Sequence, residues 1–336
     1  MNLKEKLLLI DADYVLKENK GIVRLFCKNE EEKTVLVLDE NFEPYFYAMP
    51  KEGKVEELKR KVEELKKEKV GIKVLKTEII EKIWNGKKVN LIKIIIDNPR
   101  RIPDVRDAIK EWEEVEETYE YDIPFYKRYI IDKQIEPMNW ISIEGEEIEL
   151  KGYQVDKIIK ATSVKPIKIE KDVRLKVMAF DTEWVEENGK TKLIMISLVC
   201  NDESKKVLTC YEWKEKPSYV EVLKNEEEMI KRFLEIVKEK DPDFLVGYNS
   251  DGFDMPKLKD RANELKIQLK LGRESSPIQT ARRGRVSSAK IKGRIHVDLF
   301  NFISHILSAS MKSEVLTLDE VAQELLGIGK KKMEYK

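Results

Sequence analysis

The order of strand-like and helix-like segments in the second half of this 336-residue chain constrains its fold most. Three apolar runs follow one another from residue 174, namely RLKVMAF, KLIMISLVC and KKVLTCYEW, and only short polar stretches join them. Short joints of this kind predict an antiparallel meander. An amphipathic segment capped by Asn225 comes next, followed by the short run FLVGY, the helix-like MPKLKDRANEL, the strand-like GRIHVDLF and the helix-like LTLDEVAQELL. The pattern predicts a meander extended by strands that alternate with helices.

This order is typical of a ribonuclease H-like fold. In the first half, the runs KLLLIDADYVL, IVRLFCKN, TVLVLDE and PYFYAMP predict a strand meander. VEELKRKVEELKKEKV and NPRRIPDVRDAIKEW predict two helices, and NLIKIIID predicts a further strand. Residues 126–171 show no long periodic element and are interpreted as a connection. We therefore expect an α/β (α+β) chain with an N-terminal mixed β-sheet domain with helices over residues 1–150 and a ribonuclease H-like domain over residues 151–336.

Composition excludes several classes of protein. The chain has 64 basic and 64 acidic residues, so any basic binding site must be local. Cys27, Cys200 and Cys210 are odd in number and far apart, which argues against a disulfide framework or a zinc site. No signal peptide and no apolar run of about 18 residues is present, so we expect a cytoplasmic protein with no membrane partner. The bias to Lys, Glu and Ile is typical of proteins from hot environments.

Two carboxylates end the apolar run VMAFDTEW. Side chains alternate along a strand, so Asp181 and Glu183 are expected on the same face, about 6–7 Å apart. Carboxylates placed in this way repel one another unless one is protonated or a cation bridges them, and Mg²⁺ or Mn²⁺ would suit oxygen ligands. The alternative is an exposed strand end, because 38% of the residues are charged and the D-x-E pattern is common in such a chain.

A second acidic stretch is FLVGYNSDGFDMPKL, where Asp254 follows a short apolar strand and precedes a helix. A carboxylate is favourable at a helix N-terminus, and an anionic ligand can also approach there. The alternative is an Asx turn with a helix cap. His296 and His305 lie outside both acidic stretches, so Ser-His or Cys-His catalysis is not predicted, and Asp298 is interpreted as structural.

Together, these two stretches resemble the first and second exonuclease motifs of family B DNA polymerases. LIDADYV, FEPYFYAM, YEYDIPFYKRYIID, NEEEMIKRFLEIVKEKDPD and KGRIHVDLFNFI resemble the archaeal branch of that family. The resemblance implies a 3′–5′ proofreading exonuclease domain that removes mispaired nucleotides from a primer end. It also implies that the catalytic acids Asp181, Glu183 and Asp254 hold two Mg²⁺ or Mn²⁺ ions, and that Asn249 and Phe253 position the single-stranded DNA end.

The sequence departs from the family downstream of Asp254. Family members carry a third motif, a Tyr followed four residues later by an Asp, and none follows Asp254 here. The polymerase palm, fingers and thumb are also absent. We therefore expect an N-terminal portion of a replicative DNA polymerase, either a piece prepared by itself or the smaller part of a naturally split enzyme. Its partners would be DNA, the remaining polymerase part and, through segments lacking here, a sliding clamp.

The incomplete two-metal site leaves alternatives open. The chain alone cannot polymerise, and we expect its nuclease to be weak. One alternative is a catalytically weak or inactive module that binds single-stranded DNA and uracil. Another is a free-standing ribonuclease H-like nuclease whose N-terminal domain only binds nucleic acid.

The resemblance to archaeal members also implies that the N-terminal domain captures uracil in the template strand. A flipped base needs a narrow pocket with apolar walls and polar groups for its edge, from which a 5-methyl group would be excluded. The alternative is that these are ordinary core and turn residues. The matching positions are Tyr14, Pro44, Tyr45, Pro99, Ile102, Pro103, Arg106, Tyr121 and Phe125.

A basic stretch, ARRGRVSSAKIKGR, resembles the hairpin that helps to part primer from template. Arg282, Arg283 and Arg285 are expected to bind DNA phosphates there, which would make binding depend strongly on salt. Lys290, Lys292 and Arg294 extend the patch. The alternative is a solvated loop in a charge-rich protein.

Overall fold

The computed structural model describes residues 3–68, 74–187, 189–213, 215–283, 286–313 and 315–329. The chain forms two compact units, one of Met1–Lys151 and Val155–Val173 and the other of Gly152–Gln154 and Arg174–Lys336. Within the described ranges, no helix has the length and apolar character needed to cross a membrane.

The first unit contains nine strands and three α-helices in its described residues, besides a short 3₁₀ segment at Pro99–Arg101. In chain order they are β1 (Leu3–Lys17), β2 (Lys20–Lys28), β3 (Thr34–Asp39), β4 (Tyr45–Pro50), α1 (Val55–Glu68), β5 (Val74–Trp84), β6 (Lys87–Ile96), α2 (Ile102–Ile109), β7 (Val115–Tyr119), α3 (Phe125–Lys133), β8 (Trp140–Glu147) and β9 (Lys157–Pro166).

A closed barrel in the order β1-β2-β3-β9-β8 forms the first layer of this unit. Three strands of the predicted meander are confirmed, since β1, β2 and β3 pair antiparallel in sequence. The predicted connection over residues 126–171 is wrong, because α3, β8 and β9 form there. In β8 and β9 buried residues are interspersed with more exposed polar ones, and these polar residues made the two strands look like a loop.

The fourth strand of the predicted meander, β4, lies instead in a second sheet in the order β5-β6-β4-β7. The helices α1 and α2 cover one face of this sheet. Leu58 and Val62 of α1 and Val105 and Ile109 of α2 are completely buried in that core, as their helical spacing predicts. The N-terminal mixed β-sheet domain with helices is thus confirmed.

The second unit contains eight strands and four helices in its described residues, besides short 3₁₀ and π segments. They are β10 (Val177–Glu187), β11 (Lys190–Cys200), β12 (Lys205–Thr209), β13 (Val220–Val222), α4 (Glu226–Lys240), β14 (Phe244–Gly247), α5 (Asp254–Glu264), β15 (Gln279–Arg283), β16 (Val286–Lys290), β17 (Ile295–Asp298), α6 (Leu299–Phe302) and α7 (Leu318–Leu326).

The main sheet of this unit has the order β13-β12-β11-β10-β14-β17. The strands β10, β11 and β12 form the predicted antiparallel meander, and β14 and β17 extend it in parallel. Phe233 of α4 and Leu258 of α5 pack completely buried in one core with residues of the sheet. The α/β order expected for a ribonuclease H-like unit is therefore confirmed.

Candidate active site

The parallel pairing of β10 with β14 brings both acidic stretches to one edge of the sheet. Residues 177–179 of β10 pair with residues 244–246 of β14. The carboxyl ends of parallel strands lie at the same edge, so Asp181 and Glu183 lie beside the loop that joins β14 to α5. All of these residues belong to the second unit.

Asp181 and Glu183 lie on the same face of β10, as predicted from the strand period. Both are exposed, whereas Thr182 between them is 5% exposed and lies on the other face. The register with β11 shifts between Glu183 and Trp184. The two carboxylates therefore form an acidic edge that is open to solvent.

Asp254 begins α5 and is almost completely buried, with 3% of its surface exposed. Its Oδ1 accepts a hydrogen bond from the backbone N of Thr182 at 3.1 Å and another from Thr182 Oγ1. Burial raises the pKa of Asp254 to about 6; the bonds from Thr182 lower it, and the charge of Asp181 raises it. A cation bound nearby would favour the ionised form of the Asp254 carboxyl group.

The oxygen donors at this edge fit a hard divalent cation in kind. No three His, Cys, Asp or Glu side chains in the part of the chain that the structure describes are grouped closely enough to hold a metal ion. Asp181 and Glu183 are exposed, whereas Asp254 is buried and one of its oxygens accepts from Thr182. The two-metal site of Asp181, Glu183 and Asp254 stays a prediction.

The loop between β14 and α5 is held in place by Asp298 at the end of β17. Its carboxylate accepts hydrogen bonds from the backbone N of Asn249 at 2.8 Å, of Asp251 at 2.9 Å and of Phe300 at 3.0 Å. Asp298 is therefore structural, as predicted. Asn249 and Phe253 are both exposed on this loop, and their contact with DNA stays a prediction.

Ser250, His296 and Asp251 form a hydrogen-bonded chain that resembles a catalytic triad in its order. Ser250 Oγ lies 3.0 Å from His296 Nε2, and His296 Nδ1 lies 3.2 Å from Asp251 Oδ1. Ser250 is 0% exposed, so no substrate carbonyl can reach its hydroxyl. These hydrogen-bonded side chains connect the loop to β17. Catalysis by a nucleophilic side chain remains unsupported.

The basic stretch forms the antiparallel hairpin β15–β16. Arg285 lies outside the described residues, and the side chains of Arg282 and Arg283 are also not described. Arg294 cannot belong to a surface patch, because it is 2% exposed and its Nη1 is ion-paired with Asp241. The sequence shows that basic residues are clustered in this stretch, but it does not show which of them are buried.

In the first unit, three of the predicted uracil-pocket residues belong to one aromatic group. The rings of Tyr14 and Phe125 meet edge to face, with 5.4 Å between their centroids. Phe42 joins them to Tyr45, since its ring lies 5.4 Å from Phe125 and 6.5 Å from Tyr45. Phe42 was not predicted, because a single aromatic residue beside a turn carries no distinguishing signal.

Two of the predicted prolines adjoin this aromatic group. A Cβ atom added at Gly21 would lie 2.7 Å from the Phe125 ring and 3.2 Å from Pro99 Cδ, so both side chains pack against the glycine backbone. Pro44 and Phe42 line a cavity of about 280 Å³. None of the other eight predicted residues lines that cavity.

The remaining four predicted pocket residues lie elsewhere in the unit. Ile102 is 6% exposed and belongs to the core beneath α1 and α2. The guanidinium of Arg106 covers the ring of Tyr121, with 4.3 Å from Cζ to the ring centroid. Pro103 is exposed. The structure does not group these four with Tyr14 and Phe125.

Two charged residues beside Tyr45 were missed. The Tyr45 hydroxyl donates to Asp132 Oδ2 at 2.6 Å, and Arg128 Cζ lies 5.0 Å from the centroid of the Tyr45 ring. Arg128 is 6% exposed and ion-paired with Glu120, but its buried Nε has no hydrogen-bond partner among the described residues. The i, i+4 spacing on α3 could not identify this pair, since such charge pairs are common in this sequence.

Comparison with known proteins gives consistent matches. The family described as "DNA polymerase family B, exonuclease domain" matches residues 116–321, more than half of the chain. A DNA polymerase of Pyrococcus glycovorans is 36% identical and one of Thermococcus litoralis is 37% identical, each over 97% of this chain. The alignments span 37% and 17% of those two proteins, respectively.

A solved structure is similar over both units. The family B DNA polymerase from the hyperthermophilic archaeon Pyrobaculum calidifontis superposes with a TM-score of 0.79 at 27% identity. The match covers 95% of this chain and 39% of that protein. The chain thus spans less than two fifths of each of these three relatives.

Proposed function

Since this chain belongs to the family B DNA polymerases, we propose that it is the N-terminal and 3′–5′ exonuclease portion of an archaeal replicative enzyme. In that role it removes mispaired nucleotides from the 3′ end of a primer. Its proposed partners are DNA, as primer end and single-stranded template, and the rest of the polymerase with its sliding clamp. The proposed location is the cytoplasm.

The observation that carries this proposal is the acidic edge of β10. Two exposed carboxylates lie there beside a third, buried carboxylate whose pKa is raised by burial and by the charge of Asp181. Asp181 and Glu183 would hold a divalent cation, Mg²⁺ or Mn²⁺, and Asp254 would complete the ligand set. When bound, such ions supply an activated water and stabilise the departing 3′ oxygen. Exposed Asn249 and Phe253 would hold the strand end.

The test is digestion of a 5′-labelled single strand in the presence of Mg²⁺ or Mn²⁺. We expect shortening from the 3′ end, reduced about 100-fold or more by Asp181→Ala. Glu212→Ala, which removes an exposed acid from a loop of the same unit, is the matched control. Equal rates for all three proteins would reject the acidic edge as the active site. Intact DNA throughout would instead favour the alternative proposal, a binding module without its own catalysis.

A second proposed function is recognition of uracil in the template strand. It is supported by the aromatic group around Phe42 and by Arg128, which lies beside Tyr45 and whose buried Nε has no hydrogen-bond partner among the described residues. A hydrogen bond from a charged donor in a buried site contributes about 1.5–3 kcal/mol, enough to discriminate between bases.

The uracil proposal predicts a difference between two matched strands. A single strand containing uracil should bind more tightly than the same strand containing thymine. Arg128→Leu should reduce that preference about tenfold, and Arg60→Leu, on the exposed face of α1, should not change it. Equal affinity of the unsubstituted protein for the two strands, measured by fluorescence anisotropy in EDTA, would refute uracil recognition.

A further inference from the structure

The side chains of Trp184, Phe253 and Lys257 form a group beside Asp181 and Glu183. Of the three, only Phe253 was predicted from the sequence to have a role. The ammonium of Lys257, on the first turn of α5, lies 4.1 Å from the centroid of the Phe253 ring and 5.4 Å from that of the Trp184 ring. Trp184 follows Glu183 on β10, and Phe253 precedes Asp254. The group therefore connects β10 and the start of α5, the two elements that carry the candidate ligands.

Lys257 is held by aromatic rings instead of by an acid. Among the described residues its ammonium has no hydrogen bond and no carboxylate within ion-pair distance, although 38% of the chain is charged. A cation over ring faces keeps its three N–H donors available, because rings accept no conventional hydrogen bond. An anion that approaches the rings would therefore meet an ammonium that is not ion-paired with any acid in the described ranges.

The Trp184 ring is fixed in orientation. Its Nε1–H donates to Thr182 Oγ1 at 2.8 Å, and the same hydroxyl donates to Asp254. Part of the indole packs on the core of the unit and part remains accessible. Phe253 is 39% exposed beside it. The fixed, partly accessible Trp184 ring offers stacking surface at a low cost in conformational entropy, and the exposed Phe253 ring adds to that surface.

We propose that Trp184, Phe253 and Lys257 form a binding site for the last two nucleotides of a single DNA strand. The rings contact the terminal bases and sugars, and the Lys257 ammonium binds the phosphate between them. Trp184 and Lys257 are positioning residues, since they hold the strand end next to Asp181 and Glu183. The choice of DNA as ligand rests on the proposed function, but binding itself requires no cleavage.

The first test removes the charge of Lys257. Binding of a fluorescent single-stranded oligonucleotide is measured in EDTA over a salt series, with the full chain. Lys257→Met should lower the slope of log K against log salt by about 0.7, as expected for one lost phosphate contact on a single strand. Lys257→Arg, which keeps the charge, should keep the slope of the unsubstituted protein. Lys231→Met, which removes a charge from the exposed face of α4, is the control. An unchanged slope in Lys257→Met would overturn the phosphate contact.

The second test removes the indole. Trp184→Leu should weaken binding about tenfold through lost stacking, whereas Trp184→Phe should retain most of the affinity. Trp213→Leu, at an exposed tryptophan of the same unit, should bind normally. Thermal melting of each variant verifies folding, and Lys257→Met remains informative if Trp184→Leu does not fold. Equal affinity of folded Trp184→Leu and the unsubstituted protein would overturn the stacking role.

The outcomes separate this proposal from the exonuclease. If the unsubstituted protein digests DNA in Mg²⁺ but the Lys257 and Trp184 variants bind normally in EDTA, the binding site is refuted and the exonuclease stands. If these variants lose binding while no digestion occurs with any metal, the binding site stands and the exonuclease is refuted for this chain.

Discussion

At the scale of single residues, Thr182 is the least expected member of the candidate site. It lies between the two acids of the D-x-E stretch, and its backbone N and hydroxyl both donate to Asp254 while the hydroxyl accepts from Trp184. The sequence could predict Asp181 and Glu183 because strand alternation is a local property. It could not predict the role of Thr182, since the partner Asp254 is 72 residues away.

Thr182→Val should destabilise the fold. Valine has a similar shape but leaves the buried Asp254 with one donor fewer and Trp184 Nε1 without its acceptor. We expect a loss of about 1–3 kcal/mol in the free energy of unfolding, measured by urea unfolding at pH 8 in EDTA. Thr191→Val, at an exposed position on β11, should change stability by less than about 0.5 kcal/mol. Equal effects of the two substitutions would contradict the assigned hydrogen bonds.

At the scale of elements, a buried ionic group fixes the junction between α4 and β14. Asp241 ends α4 in the left-handed region with φ 46°, and its Oδ1 accepts from Arg273 Nε at 3.0 Å and from Arg294 Nη1 at 2.6 Å. Asp243 accepts from Arg273 at 2.7 Å and from the backbone N of Lys176 at 2.9 Å. The group therefore fixes the start of β14 next to β10, and with it the register that aligns the two acidic stretches.

Asp241→Asn should weaken this junction and change its response to acid. Burial raises the pKa of Asp241, but the charges and hydrogen bonds of Arg273 and Arg294 outweigh burial and hold that pKa below its ordinary value. The unfolded chain therefore binds a proton at Asp241 more readily than the folded chain does. The charge of Asp241 stabilises the folded state above about pH 4, and this stabilisation is lost as the pH falls through the pKa that Asp241 has in the folded state.

We expect Asp241→Asn to lose about 3 kcal/mol near pH 7, because two arginines would remain buried with too little negative charge. Asparagine also tolerates the left-handed backbone, so the change tests charge and not conformation. Unfolding curves between pH 3 and pH 8 should converge for the two proteins at the acid end. Asp260→Asn, at an exposed position on α5, should follow the unsubstituted protein. A constant difference across that pH range would contradict the linkage.

At the scale of the whole molecule, the sequence predicted the second unit better than the first. The meander and the alternating elements of the second unit depend on neighbours in sequence, and the helical stripes of α1 and α2 are local as well. Closure of the barrel depends on pairing of strands that are far apart in sequence, such as Lys4 of β1 with Glu144 of β8. The periodicity of a sequence carries no information about such long-range pairs. For the same reason, the uracil-pocket positions came from resemblance alone, and the structure groups only some of them.

The proposed activity requires that Asp181 and Glu183 of β10 hold a divalent metal ion that serves hydrolysis at a DNA strand end. Its most direct test is anomalous scattering from crystals of this chain soaked in Mn²⁺, with Asp181→Ala crystals treated identically. We expect a manganese peak within coordination distance of the Asp181 and Glu183 carboxylates, about 2–2.5 Å, and no such peak in the variant. No peak at this edge, or a peak only at acids elsewhere in the molecule, would contradict it.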